Sequence, residues 1–259
     1  MYETLGTIEM CFRIACTAIF GLIVGSFLNV CIYRIPKKIS LNGNHGRSMC
    51  PTCGGTLRWY DLIPVFSFIA LRGRCRSCRA PISKQYPIVE CSNSMLWAGI
   101  IYVLGLTPKA AILCVFASVL IVIAGIDWKT QLIPYQLQLC VLVLGLISLL
   151  IPGFPTIGER CIGFLAVSLP MQIIAIIIPN GFGGGDINLM AVAGFFLGYR
   201  CIIVAMLIGT ILGGAYGMVL MIKGKERKVQ IPFGPYLAVG LMMTAVWGDT
   251  IWNNYMKLY

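Results

Sequence analysis

The sequence predicts an all-α polytopic membrane protein with about eight transmembrane helices, interrupted by one long polar loop. Three observations predict it. Mean hydropathy is +0.86 over 259 residues, and 58% of the residues are hydrophobic while only 11% are charged. Soluble domains carry about 25% charged residues. Apolar runs recur from one end to the other, and a spanning helix needs about 20 mostly apolar residues. The basic residues gather in a few segments. So many apolar runs, with few polar faces between them, argue against a soluble protein with buried core helices.

The runs are 14–32, 88–106, 110–126, 135–150, 162–178, 187–197, 202–222 and 236–252. The expected organisation is an N-terminal flank with the first helix (1–33), a cytoplasmic loop domain (34–86) and a multi-helix transmembrane core (87–259). No small-residue cleavage site leading into a soluble domain follows the first run, so it does not read as a plain signal peptide. It ends in Gly25-Ser26-Phe27-Leu28-Asn29, where Gly25 and Ser26 suit close helix packing. Asn29 serves either an interhelical hydrogen bond or a ligand. The second run opens through Tyr86-Pro87-Ile88-Val89-Glu90. Glu90 either pairs with a loop arginine or helps hold a polar ligand.

The third run ends in Asp127-Trp128-Lys129, and Pro134 precedes the fourth, a position suited to starting a helix. Gly153 and Pro155 mark the loop before the fifth. The sixth is short and ends at Gly198-Tyr199-Arg200, which suggests a tilted or partly embedded helix. The eighth follows Ile231-Pro232-Phe233-Gly234-Pro235 and carries Asp249 near its end. The prolines there make a turn or a re-entry.

Charge sets the orientation. Ten basic residues lie between Arg34 and Tyr86, with Asp61 the only acid among them. Lys223, Lys225, Arg227 and Lys228 form a second cluster, and Lys129 lies in a short turn. With eight spans and an outer N-terminus, these fifteen of the twenty basic residues share one side, which the positive-inside rule makes cytoplasmic. Asp127 and the glycine run ending at Asp186 fall on that side too. A nucleic-acid role for the basic loop lacks a recognisable motif. The lipid bilayer is the expected partner, and no nucleic acid.

The loop carries Cys50-Pro51-Thr52-Cys53 and Cys75-Arg76-Ser77-Cys78, two C-x-x-C pairs 21 residues apart. That spacing lies a residue beyond the usual zinc range. Four thiolates close a tetrahedral site with no open position, a structural Zn2+ site held by Cys50, Cys53, Cys75 and Cys78. A reducing cytoplasm disfavours disulfides. A redox pair is the alternative, although two pairs argue for a cage. His45, the only histidine, is read as solvated. The other eight cysteines lie mostly in apolar runs and behave as small hydrophobes.

The chemistry centres on Gly183-Gly184-Gly185-Asp186. A carboxylate at the mouth of an apolar segment is costly and is usually retained for function. Three glycines before it, having no Cβ, let another backbone approach. Asp127 sits in a similar place. The bland alternatives are a flexible linker for the glycines and a helix-end charge on Lys129 for Asp127.

Taken in this order, the motifs resemble those of the type IV prepilin peptidases, a family of membrane aspartic proteases. The resemblance covers Gly25 to Val30 with Arg34 and Pro36, then the four-cysteine loop and Tyr86 to Glu90. It continues with Asp127 followed by Ile133-Pro134, the G-x-G-D match at Gly183–Asp186, and Ile231 to Pro235. It implies that Asp127 and Asp186 are a catalytic pair, with Gly183, Gly184 and Gly185 as the active-site loop. Such enzymes cut the leader from prepilins and pseudopilins after a glycine, at the cytoplasmic face of the bacterial inner membrane. Those with the four-cysteine loop typically also N-methylate the new terminus, using S-adenosylmethionine. Asn29 and Glu90, beside the loop, are the expected methyltransferase pocket. Two nearby carboxylates share one proton, which suits acid–base work on a peptide bond. Two other readings use the same acids: a transporter or channel with proton or cation sites at Asp127 and Asp186, and a presenilin-like protease. Neither explains the four-cysteine loop.

Overall fold

The computed structural model describes residues 2–41, 48–178, 181–223 and 232–257, with the side chains of residues 2–7 left aside. His45, Asn180, Lys225, Arg227, Lys228 and Ile231 lie outside the described residues. Among the described residues the chain is helical, with no strand beyond two isolated bridges. It divides into two compact units, Met1–Ala110 and Ala111–Tyr259.

The first unit pairs α1 (Tyr2–Arg34) with α3 (Gln85–Leu104). Small residues set how closely they pack. A Cβ on Gly25 would stand 2.7 Å from Glu90 Cα, and one on Gly21 would stand 2.9 Å from Ser94 Cα. Two short polar ties fasten the same faces: Asn93 Nδ2 donates to Gly21 O at 2.8 Å, and Ser94 Oγ to Ala18 O at 2.8 Å. Such bonds replace the missing hydrophobic drive between helices in lipid. Between the helices lie a 3-10 turn, Trp59–Leu62, and the short helix α2 (Phe66–Ala70).

The second unit contains α4 (Pro108–Thr130), α5 (Tyr135–Ile147), α6 (Ile157–Ala166), α7 (Ser168–Ile177), α8 (Gly184–Ile222) and α9 (Gly234–Met256). Its core includes Leu113, Phe116, Leu189, Phe196, Ile202 and Leu241, all fully buried. Phe116 and Phe196 pack ring to ring, centroids 4.8 Å apart. Glycines again let backbones meet: a Cβ on Gly163 would stand 2.4 Å from Gly194 O. The start of α6 is set by Thr156, whose N–H donates to Glu159 Oε2 at 2.9 Å, a capping box.

α8 is not straight. Gly198 has φ 79° and ψ 169°, a break inside the helix, in a region that L side chains avoid. The Phe233 ring packs against Phe182, just before α8, at 6.1 Å. It also lies 3.3 Å from where a Cβ on Gly213 would stand. In a straight helix, residues 182 and 213 would be about 46 Å apart. The second arm therefore folds back along the first. The sixth and seventh apolar runs of the sequence are these two arms, and the Gly198-Tyr199-Arg200 end of the sixth is the fold-back.

Among the described residues, five helices are long and apolar enough to cross a membrane: Ile8–Arg34, Gln85–Leu104, Pro108–Thr130, Ile157–Ile177 and Gly184–Ile222. The last counts as one although it bends at Gly198, and Tyr135–Leu150 is apolar but shorter. The large apolar side chains left exposed on these helices, such as Phe20, Ile23 and Leu207, suit lipid rather than water. The protein is multi-pass.

Candidate active site and metal centre

Both acids occupy helix ends in the second unit. Asp127 sits in the last turn of α4 and is 4% exposed. Its Oδ2 accepts the backbone N–H of Gly234 at 2.9 Å. That donor, rather than Lys129, is its partner among the described residues. Gly234 opens α9, and Pro235 follows it. The first N–H groups of a helix have no partner within it, so one is free to hold a carboxylate. A Cβ at Gly234 would stand 2.8 Å from Asp127 Oδ2, so the glycine is required by space. It is not among the glycines with positive φ.

Asp186 lies in the first turn of α8. Its backbone N–H donates to Gly183 O at 3.0 Å. Its Oδ1 is buried without a partner among the described residues, an arrangement that costs free energy unless something answers it. Asp186 lies within electrostatic reach of Asp127. Phe233 and Gly234 bind the two acids' surroundings together: the Phe233 ring meets Phe182, which leads into the glycine run, while the next residue's N–H holds Asp127.

The three glycines differ. A Cβ on Gly183 would stand 2.9 Å from Asp186 Oδ2, and one on Gly185 would stand 3.1 Å from Ile133 Cβ. A Cβ on Gly184 meets nothing within 4 Å. Two of the glycines thus make room for the protein's own groups, and only Gly184 borders open space. Gln138, in the first turns of α5, was not singled out in the sequence. Its Nε2 donates to Gly185 O at 3.2 Å and to Ile133 O at 3.4 Å. It ties the segment after Asp127 to the residue before Asp186. A buried amide in an apolar run was the signal that could have found it.

The four loop cysteines converge. Their sulfurs all lie within 4.8 Å of one another, and Cys50 Sγ is 3.9 Å from Cys78 Sγ. Four sulfurs about 2.3 Å from one ion stand roughly 3.8 Å apart, so this donor set fits a tetrahedral metal. The two halves are built alike. Cys50 N–H donates to Gly55 O at 2.9 Å and Gly54 N–H to Cys50 O at 2.9 Å. Cys75 N–H donates to Ala80 O at 2.8 Å and Arg79 N–H to Cys75 O at 3.0 Å. The fifth residue of each half turns through positive φ, Gly54 at 69° and Arg79 at 61°. The Cys50 thiol is lowered to about 6 by the backbone N–H groups of Cys53 and Thr52. Cys78 is raised to about 11: the Ala80 backbone acts against this, and burial and the neighbouring thiols outweigh it.

Asn29 and Glu90 meet the chain rather than an open cleft. Asn29 Nδ2 donates to Gly25 O at 3.3 Å and to Tyr86 O at 3.2 Å, and its Oδ1 accepts from Gln85 Nε2 at 3.3 Å. Glu90 Oε2 accepts the Val65 N–H at 2.8 Å. Among the described residues Glu90 is thus tied to a loop backbone and not to a loop arginine. Both side chains are engaged within the protein.

Residues 19–104 match the family described as the bacterial peptidase A24 N-terminal domain, and residues 114–218 match the type IV leader peptidase family. Among curated proteins, the chain is 35% identical to a prepilin leader peptidase/N-methyltransferase of Bacillus subtilis, over 93% of this chain and 96% of that one. It is 34% identical to the protein of the same name from Burkholderia pseudomallei, over 91% and 86%. With that of Pseudomonas aeruginosa it shares 30% identity over 94% and 93%. No solved structure matches.

Proposed function

The chain belongs to the type IV leader peptidase family, and from that premise we propose that it cuts prepilins with Asp127 and Asp186 at the cytoplasmic face of a bacterial inner membrane. It is a bifunctional membrane enzyme: it removes the leader peptide of prepilins and N-methylates the amino terminus so released. Pseudopilins are substrates of the same kind, and the cut falls after a glycine. Nothing found favours a transporter or channel.

The observation that carries the assignment of residues is the bridge at Phe233-Gly234, which joins the Asp127 carboxylate to the approach to Asp186. In the proposed reaction the ionised carboxylate of the pair takes a proton from water, which attacks the scissile carbonyl. The protonated one donates to the developing oxyanion. The carboxylate that took the water proton then passes it to the leaving amine as the C–N bond breaks, while the other recovers its proton from the gem-diol hydroxyl. Gly234 N–H keeps Asp127 aimed while it gains and loses its proton. Gly184, with open space above it, is where a substrate backbone can come near.

Cys50, Cys53, Cys75 and Cys78 would hold a structural Zn2+, closed on all four sides and ordering the loop. S-adenosylmethionine, when bound, supplies the methyl group. Asn29 and Glu90 keep the ends of α1 and α3 in register beneath the loop, and no step is assigned to them.

The test replaces Asp127 or Asp186 by Asn in the full protein, solubilised in detergent with a prepilin. Each change should lower cleavage by about 100- to 10,000-fold. Methyl transfer to a precut pilin should continue, which shows an intact protein. Cleavage that survives either change rejects that residue's role.

A further inference from the structure

The loop between α1 and α3 carries a feature that the two reactions do not use. Trp59 is 77% exposed, Phe66 68% and Ile69 66%, and Leu62 and Ile63 between them are exposed as well. Phe66 and Ile69 stand three apart on α2 and so share a face. Phe68 is used elsewhere, packed against Gly73. The turn that presents Trp59 is fixed from behind: Arg76 Nε and Nη2 donate to Asp61 Oδ1 at 2.9 and 2.8 Å, and Arg76 lies over the Tyr60 ring at 4.9 Å. With Asp61 engaged, the stretch 34–86 has no other acid. Arg58, Arg72 and Arg74, all exposed, flank the apolar residues on either side in sequence.

Depth is what makes this ridge informative. Val65, the residue before α2, donates its N–H to Glu90 Oε2 at 2.8 Å. Glu90 is five residues into α3, about 7.5 Å along its axis, and α3 is one of the helices able to cross a membrane. Val65 has φ 59°, a rare backbone state for a β-branched residue that persists only when its surroundings fix it. The Glu90 bond is such a constraint. One turn nearer the loop, Asn29, close to the end of α1, bonds Tyr86 O. The short helix is therefore held beside the first turns of a span, at the height where hydrocarbon gives way to head groups.

We propose that the ridge from Trp59 to Ile69 lies in the head-group layer of the membrane that α1 and α3 cross, with Phe66 and Ile69 among the upper acyl segments and Arg58, Arg72 and Arg74 on anionic lipid phosphates. Three things select lipid as the occupant. The patch is held, through Val65, beside the first turns of a span whose own surface carries exposed apolar side chains such as Ile88 and Met95. Tryptophan is a residue of membrane interfaces. The uncompensated charge is positive, the sign that anionic head groups attract. Glu90 thereby acquires a purpose: a membrane-buried carboxylate that holds the metal-binding loop down against the bilayer.

The experiment uses the full protein in bilayer nanodiscs of phosphatidylcholine, with or without phosphatidylglycerol. Trp59 is one of five tryptophans, so its emission is taken as the difference between the native protein and Trp59→Phe. The expected result is quenching of Trp59 by lipid brominated high on the acyl chain, and protection from aqueous iodide. Replacing Arg72 and Arg74 together by Gln should lower the ratio of docked to lifted loop by about 30-fold in anionic bilayers, at about 1 kcal/mol per basic side chain. Changing Phe66 and Ile69 together to Ser should transfer the quenching from bromolipid to iodide. Should that variant fail to fold, the Trp59 difference alone still decides. Iodide quenching of Trp59 without bromolipid quenching, in both bilayers, overturns the proposal. So does protection that appears only when prepilin is added, which would make the ridge a substrate dock. Protection that rises with protein-to-lipid ratio would make it a contact between copies, and overturns it too.

Discussion

The N–H of Gly234 reaches Asp127 Oδ2 at 2.9 Å across 107 residues of sequence. The same glycine leaves no room for a side chain there, since a Cβ would fall 2.8 Å from that oxygen and 3.1 Å from Asp127 Cβ. Gly234→Ala should therefore keep the N–H and push the carboxylate aside. Displacing a catalytic group by about 1 Å costs on the order of 100-fold in rate. The expected outcome is a loss of that size in kcat/KM for prepilin cleavage, with the protein still inserted and still methylating a precut pilin. Unchanged cleavage would show that the carboxylate need not sit where α9 holds it.

The glycine run offers a sharper comparison, because its three members have different neighbours. Gly183→Ala meets Asp186 Oδ2, and Gly185→Ala meets Ile133. Both should reduce cleavage at least about 10-fold, by moving an acid or the segment that Gln138 ties down. Gly184→Ala meets nothing of the protein and occupies the first residue of α8. Alanine is favoured over glycine in a helix by about 1 kcal/mol. It should raise the melting temperature slightly, and any loss of activity should appear in KM for the prepilin. Equal losses at all three positions, measured by steady-state cleavage, would mean that the run acts through backbone freedom and not through space.

Much of this site was legible in the residues. Asp127 and Asp186 stood out because a carboxylate beside hydrocarbon must be answered by something. The break in α8 was visible as Gly198-Tyr199-Arg200 ending an apolar run too short to span. What answers the acids was not legible, because the donor at Gly234 is a main-chain N–H, and every residue but proline has one. For Glu90 the sequence offered a loop arginine or a polar ligand, and not the Val65 N–H, for the same reason: side chains advertise charge, while a main-chain N–H does not. The likeness of the two cysteine turns was hidden as well. Gly54 and Arg79 share a backbone conformation, not a side chain, so a search by residue identity passes over it.

The cysteine cluster sets a pH limit on metal. Thiolates bind the ion and protons compete for them. Backbone N–H groups lower the Cys50 thiol, while burial and the neighbouring thiols raise Cys78, so the four ligands do not lose their protons together. Metal should be held at neutrality and leave progressively as the pH falls. Elemental analysis after dialysis across this range checks it. Replacing Cys50 and Cys75 by Ser should remove the metal at every pH and open the loop to protease. If methyl transfer to a precut pilin is unchanged in that variant, the ordered loop plays no part in that reaction.

Arg160 separates stability from catalysis. It is 1% exposed and has no carboxylate partner among the described residues. Instead its guanidinium donates to Pro155 O at 2.8 Å, Gly145 O at 2.9 Å, Ser148 Oγ at 2.8 Å and Ser148 O at 3.3 Å. The last carbonyls of a helix have no partner within it, and α5 ends at Ile147. Arg160 supplies donors to that end and fixes α6 beside it, so one charge satisfies several acceptors that lipid could not. Arginine suits this because its five N–H groups fan out in a plane. Arg160→Ala would strand those carbonyls and should cost about 3 kcal/mol or more, since a hydrogen bond to a charged group is worth about 1.5–3. Lysine, with a single ammonium, should recover only part of it. Thermal unfolding in detergent measures the loss. Cleavage per folded molecule, read well below the melting temperature, should stay near the native value; a fall in kcat to match the loss of stability would place Arg160 in the path that positions Asp127 and Asp186.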